Sequence, residues 1–420
     1  MQNQDSRFFL TCLLLTALCC LYSAWTLYAV IQDRPLDFYL YYMAAYGFSH
    51  NRDVYEMGGD QTDVHSQDWA ELARETGVPK YSTPYRYPPL TAFLVWPLTL
   101  LPPPLAAVLW LALSAGAFAA SAWLLGATGK GPFAIPLALG LLLFFVPPLT
   151  TLDTGQVNGF LLLSLAVAFH AASRNSKRIA GVAVAVGTLL KLIPAAFIGH
   201  FALRRQWKAL AFSCLSVVLL FGLTLPLIGW QGVRSYAENF LAIGQPGDLF
   251  PRGANQAFSG FFARFCSPDS GGWRLGSNPA LAELLWKTCS LGLVVATALL
   301  CRPAGPFSRL FDLEFALVTV AINLITPYAW YHQFVLLLIP FFVLVRRALD
   351  DPALRWMLYP LAIGYLATDV HGLIWKRLAF NPLLVSMPFY TALMLWGFLA
   401  WLLLKQKGAP IPFHKTIPSV

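Results

Sequence analysis

The reactive groups that stand out in this chain are an acid, a histidine and two cations, all set in apolar surroundings. Asp37 opens the string Asp37-Phe38-Tyr39-Leu40-Tyr41-Tyr42-Met43-Ala44-Ala45-Tyr46, directly after a hydrophobic stretch. His332 closes Thr326-Pro327-Tyr328-Ala329-Trp330-Tyr331-His332, while Arg86 precedes Tyr87-Pro88-Pro89 and Lys191 leads Leu192-Ile193-Pro194. A carboxylate or imidazole suits proton transfer, and a cation suits a group that carries or develops negative charge. Ionisable side chains at membrane depth are costly to hold, so each reads as a functional candidate first. Gly155-Gln156-Val157-Asn158 and Asn255-Gln256 add amides able to hydrogen-bond hydroxyl groups.

These groups must be positioned by membrane helices. The chain has 420 residues, is 57% hydrophobic and only 12% charged, and has a mean hydropathy of +0.60. Several apolar stretches approach or exceed the roughly 20 residues needed to cross the hydrocarbon of a bilayer. The expected class is an all-α polytopic membrane protein, with the lipid bilayer as its first partner. Phe8–Ile31 is too long for a signal-peptide core and is read as a retained helix. The net charge of +9 sits in short loops, where it reports topology and not nucleic-acid binding. The seven cysteines show no CxxC spacing and lie mostly in apolar segments, as small core residues would.

Charge placement predicts orientation. Basic residues cluster at Arg174-Lys177-Arg178, Arg204-Arg205-Lys208, Arg302 with Arg309, Arg346-Arg347 and Lys405-Lys407, with Lys130 alone in its loop. With all of these on the cytoplasmic side, both termini are cytoplasmic. Ile179–Leu203 must then leave and return within one short segment, with Lys191 and Pro194 near its middle. Two half-spanning helices are expected there, a geometry tolerated only inside protein or beside a cavity.

The remaining helices are predicted over Leu105–Leu125, Pro132–Leu149, Val157–Ala172, Ala209–Gly229, Pro279–Cys301, Phe311–Ile325, His332–Val345, Ala353–Ala367 and Leu383–Leu404, about twelve crossings in all. One domain spans 1–420. Its outer loops are Gln32–Tyr87, Thr150–Asn158, Trp230–Asn278, Thr326–Tyr331 and Thr368–Pro382. The first, residues 32–87, holds nine of the twenty acidic residues and a possible surface helix at Gln67–Glu75. The second large loop covers 230–278. Tyr87 to Leu101 is too short to span comfortably and is expected to dip in and return. Asp37, Arg86, Asp153, Gln156, Asn158, Lys191, Asn255, Gln256, Tyr328 and His332 all fall on the outer side.

The ordered pieces resemble the membrane mannosyltransferases of glycosyltransferase family 87, within the polyprenol-phosphate-sugar-dependent GT-C superfamily. The resemblance rests on Asp37-Phe38 with Tyr41-Tyr42-Met43-Ala44-Ala45, Asp53-Val54-Tyr55, and Tyr87-Pro88-Pro89-Leu90 through Pro97-Leu98 to Leu101-Pro102. It continues in Gly155-Gln156-Val157-Asn158, Lys191 with Pro194, Arg204-Arg205-Gln206-Trp207, Asn255-Gln256 and Thr326–His332. The last motif departs from the family in His332-Gln333, where a histidine pair is often seen, and in Tyr328, which leaves the acceptor open.

The resemblance implies a GT-C-type bundle that transfers a hexose, mannose by analogy, from a polyprenyl-phosphate sugar to a lipid or glycan acceptor at the periplasmic face of a bacterial inner membrane. Asp37 is then the base in an inverting displacement, with His332 supporting it. Tyr41, Tyr42, Arg86, Gln156, Asn158, Lys191, Asn255, Gln256 and Tyr328 contact substrate. No metal or other cofactor is expected, because phosphate leaves without a separate acid and Asp153 has no DxD or His/Asp cluster beside it.

Each candidate has a plainer reading. Asp37 could cap a helix, Lys191 could snorkel, and His332 could be a satisfied core residue. The tyrosines could form an interface belt, and Gln156 and Asn158 a polar turn. Arg252 and Arg264 read more readily as loop charges than as phosphate ligands. A lipid or glycolipid transporter or flippase is the alternative class, but paired internal repeats are not visible. A ligase moving a whole lipid-linked glycan and a non-catalytic membrane scaffold are further alternatives.

Overall fold

Prolines and glycines cut this apolar sequence into helices of unequal length. The computed structural model describes residues 2–57, 67–81, 84–129, 131–242, 253–266, 278–302, 307–378 and 381–408. The first half comprises α1 (Gln2–Ile31), α2 (Leu36–Ser49), α3 (Gln67–Thr76), α4 (Pro89–Val95), α5 (Pro103–Gly126), α6 (Ala134–Leu143), α7 (Val146–Thr154) and α8 (Asn158–Ser173). Then come α9 (Lys177–Leu190), α10 (Ala195–Leu203), α11 (Trp207–Ala242), α12 (Phe258–Cys266), α13 (Pro279–Leu300), α14 (Phe307–Ile325), α15 (Leu338–Asp350), α16 (Leu358–Leu378) and α17 (Met387–Gly408). Proline occupies the first turn of α4, α5, α7 and α13, where its missing N–H costs nothing. The only β pairing among the described residues is an isolated bridge between Asn255 and Trp330.

Six helices are long and apolar enough to cross a bilayer, and α6 with α7 makes a seventh candidate bent by 56°. About twelve crossings were expected. The difference lies in short helices that an apolar run cannot distinguish from spans. The expected pair at Ile179–Leu203 is present as α9 and α10, broken at Lys191-Leu192-Ile193-Pro194. With 14 and 9 residues they rise only about 21 and 14 Å at 1.5 Å per residue. The expected surface helix at Gln67–Glu75 is α3, with Trp69 and Leu72 buried. The run after Tyr87, expected to dip in and return, folds as α4 followed by a 3-10 turn, Trp96–Leu100.

Three boundaries differ from the sequence expectation. Pro132–Leu149 is two helices, because Pro147 and Pro148 start α7, which then occupies most of the expected Thr150–Asn158 loop. Helix α11 does not stop at Gly229; the residue takes φ 65°, kinks the helix, and the chain continues to Ala242. Helix α16 runs through most of the expected Thr368–Pro382 loop. Its Asp369 accepts the Val146 N–H at 2.9 Å, so the acid is satisfied inside the bundle.

The connections sort the helix ends into two sets. The turns after α8 and α10, and the end of α15, carry Arg174 and Lys177, Arg204 and Arg205, and Arg346 and Arg347. The opposite ends of the same helices carry Asn158, Lys191 and His332. One buried and two half-buried ion pairs tie down the basic end. Arg204 Nε lies 3.1 Å from Glu314, and Arg347 grips Asp312 at 2.7 Å with Arg346 at 3.0 Å. Between the two ends the core is continuous from α1 to α17, and Phe197 stacks on Phe315 at 4.2 Å.

Candidate active site

Asp37 sits in the first turn of α2, immediately after a sharp reversal at residues 32–35 where Asp33 takes φ 50°. Its side chain is half-buried. The carboxylate acts electrostatically on the Lys191 ammonium and on the phenols of Tyr41 and Tyr87. The Lys191 charge acts in turn on His332. Acid, cation and imidazole therefore form one cluster, although 154 residues separate Asp37 from Lys191 (191 − 37).

Each member is held by local structure. Lys191 caps the C-terminus of α9 in an extended conformation, and Thr91 of α4 donates to the Leu190 carbonyl beside it at 3.2 Å. Helix α4 therefore braces the lysine break. His332 lies in the 3-10 turn Tyr331–Leu337, is 8% exposed, and has Nδ1 2.8 Å from the Asn158 amide nitrogen. With that amide donating, Nδ1 accepts, and a neutral imidazole carries its proton on Nε2. Thr151 adds a bond to the His332 carbonyl at 3.1 Å.

Gln156 links the acid's helix to the Tyr87 loop. Its amide oxygen accepts from the hydroxyls of Tyr41 and Tyr87, both at 3.1 Å, and its nitrogen reaches the Tyr87 oxygen at 2.8 Å. Burial first, and the nearby Asp37 charge second, hold the Tyr87 phenol well above its usual range, so it remains protonated. Gly155, just before, has φ 71°, and a Cβ there would lie 2.6 Å from the Phe38 Cβ. Only glycine allows that approach. Trp110 fixes the same turn by donating to the Gly155 carbonyl at 2.9 Å.

Other candidates have different surroundings. Tyr42 donates to the carbonyls of Leu101, at 2.8 Å, and Thr99, fastening α2 to the turn before α5. Asn255 is fully buried, accepting from the amides of Ala257 and Ala329 and donating to Pro327 O. Gln256 donates to Val385 O at 2.8 Å and accepts from Phe389 N. The Asn255 amide and the Gln256 backbone N–H, which donates to Ala329 O, thus shape the Thr326–Tyr331 segment, while the Gln256 side chain is used at Val385 and the start of α17. Tyr328 is half-buried and lies parallel to Trp330, centroids 6.4 Å apart. Arg86 is half-buried at the rim, next to Tyr87. Arg264 is spent on Asn255 O and Ser386 Oγ, while Arg252 lies outside the described residues.

Two participants carried no clear signal in the sequence. Tyr87 appeared there only as part of a proline motif, yet it joins Gln156 to Tyr41. Arg34 pairs with Asp153 across 119 residues of sequence. Among the described residues one group has metal-ligand character, His200, Cys301 and Glu314, but it lies at the basic end. Arg204 already faces that carboxylate.

The model of glycosyltransferase family 87 matches residues 85–327, more than half of the chain. A polyprenol-phosphate-mannose-dependent alpha-(1-2)-phosphatidylinositol pentamannoside mannosyltransferase of Mycobacterium tuberculosis is 27% identical over 381 residues, covering 88% of this chain and 79% of the relative. Its namesake from Mycolicibacterium smegmatis is 25% identical over 361 residues, covering 79% of each. The chain belongs to glycosyltransferase family 87 and is a multi-pass membrane glycosyltransferase.

Proposed function

We propose that this member of glycosyltransferase family 87 transfers mannose from a polyprenyl-phosphate donor to a hydroxyl of a lipid or glycan acceptor, with inversion at the anomeric carbon. The observation that carries the reading is the grouping of Asp37, Lys191 and His332 at one end of the bundle, opposite the basic turns. The activity for which the mycobacterial relatives are named supports mannose and the polyprenyl carrier.

In the proposed step the acceptor oxygen attacks C1 of the sugar as Asp37 removes its proton. The C1–O bond to phosphate breaks and the electron pair leaves with the polyprenyl phosphate. A positioned base is worth roughly 10²–10⁴-fold. Lys191 meets the charge on the departing phosphate, with Arg86 at the rim as a second cation. His332, oriented by Asn158, donates from Nε2 to substrate or to the same anion. Gln156, Tyr41, Tyr42 and Tyr87 form the polar and aromatic wall against which the sugar lies. The Asn255 side chain and the Gln256 backbone N–H shape the segment that presents Tyr328. The step uses no metal or cofactor.

The positive-inside rule puts the basic turns and both termini in the cytoplasm, and hence the cluster on the periplasmic side of a bacterial inner membrane. Helices α9 and α10 are shorter than the roughly 30 Å hydrocarbon layer, so Lys191 lies below the outer surface, in a cavity that the donor's phosphate enters. Further crossings beyond the six long helices would be made by broken pairs of this kind.

The test is transfer by purified protein in lipid nanodiscs, with labelled polyprenyl-phosphate mannose and a phosphatidylinositol mannoside as acceptor. A mannosylated lipid of inverted anomeric configuration, read by NMR, is expected. Retention of configuration, or no product with any lipid or glycan mannoside, would refute the reading.

A further inference from the structure

We infer that Arg34 and Asp153 form a positioning pair that sets where the Asp37 carboxylate stands relative to Lys191 and His332. The inference rests on the reading of Asp37 as the base. The start of α2 has no fixing device of its own: Pro35 precedes it and no side chain caps it. Arg34, three residues before Asp37, instead reaches the last turn of α7. Its Nη2 donates to Asp153 Oδ2 at 2.7 Å, and its Nε lies 2.6 Å from Oδ1. The second is a close charge contact and not a hydrogen bond, but a planar guanidinium with one charge-assisted bond and one flanking contact is more fixed in direction than a lone ammonium would be. The fork is also held from α1, where Nη1 meets the Tyr28 hydroxyl at 3.3 Å and the guanidinium lies 5.6 Å from the Tyr28 ring centre.

The partner element gives the pair its meaning. Two residues after Asp153, Gly155 presses on Phe38 and Pro35, so both neighbours of the acid's turn bear on the same spot. That turn continues into Gln156, bonded to Tyr87, and Asn158, bonded to His332. A slip of α2 along α7 would therefore change the spacing of base and imidazole. The Arg34 side chain is 44% exposed and that of Asp153 15%, and a pair open to solvent on one side adds only modestly to stability. A contact of that kind explains geometry better than it explains folding.

The test compares Asp153→Asn, Arg34→Lys and the charge-exchanged double variant Arg34→Asp/Asp153→Arg, with Asp37→Asn as reference. Misplacing a reacting group by about 1 Å costs on the order of a hundredfold in rate. We expect kcat to fall about tenfold to a hundredfold in Asp153→Asn, with donor KM within about twofold and an unchanged melting temperature. Arg34→Lys keeps the charge and loses the fork, so it should fall between. The exchanged pair should recover most of the lost kcat. An unaltered kcat in Asp153→Asn would overturn the inference, as would losses that follow melting temperature in all three variants without recovery in the exchange. If Asp37→Asn itself stays active, it is the base reading that fails. If Asp37→Asn is dead while Asp153→Asn is normal, only the positioning role fails.

Discussion

The side-chain amide of Asn158 stands 2.8 Å from Nδ1 of His332, joining the first turn of α8 to the 3-10 turn after α14. The contact is fully enclosed, since Asn158 has no exposed surface and His332 only 8%. It gives the histidine a fixed ring orientation. The residues two and three positions earlier, Gln156 and Gly155, hold the acid's helix, so a single turn orients both halves of the cluster.

Asn158→Ala should free the ring. A buried partner left unsatisfied costs about 1–3 kcal/mol, so melting in detergent should drop by several degrees. kcat should fall more than KM rises. A variant with normal kcat would remove His332 from the reaction.

Lys191→Ala should act mainly on the donor. Losing a charge-assisted contact of about 1.5–3 kcal/mol corresponds to roughly ten- to a hundredfold in KM for the polyprenyl-phosphate sugar. Initial rates across donor concentrations measure this, and an unaltered KM would contradict the assignment.

Gly155→Ala introduces a Cβ into a left-handed residue already against Phe38. A strained backbone of this kind costs about 1–3 kcal/mol, before the overlap with Phe38 at 2.6 Å is relieved. A lower melting temperature together with lost transfer is expected. An unchanged protein would show that α2 does not rest on this turn.

Chelation gives a fourth expectation. With phosphate charge met by Lys191 and hydrogen-bond donors, excess EDTA should leave the initial rate of transfer unaltered. A loss of activity restored by added Mg²⁺ or Mn²⁺ would show that the step needs a metal.

Part of this site could be read in the sequence and part could not. Asp37 and Lys191 stood out because an ion in an apolar setting needs a reason, and Pro194 marked the break beside the lysine. The sorting of basic turns against polar ones gave the two ends of the bundle. Asn255 and Gln256 were less legible, because an amide serves a sugar hydroxyl and a backbone carbonyl equally well, and only coordinates show which it faces. The Arg34–Asp153 pair has no local signature, since neither residue predicts a partner 119 positions away. Six long apolar helices stand where about twelve crossings were expected, for a related reason. Proline-broken runs such as α6–α7 and α9–α10 carry the composition of spans without their length.

The most direct test of the catalytic account is single-turnover transfer by Asp37→Asn protein in nanodiscs loaded with polyprenyl-phosphate mannose. The substitution keeps shape and removes the base, so the chemical rate should fall by about 10²–10⁴-fold, with melting temperature and donor binding preserved. A chemical rate within about threefold of the parent would show that proton removal occurs elsewhere.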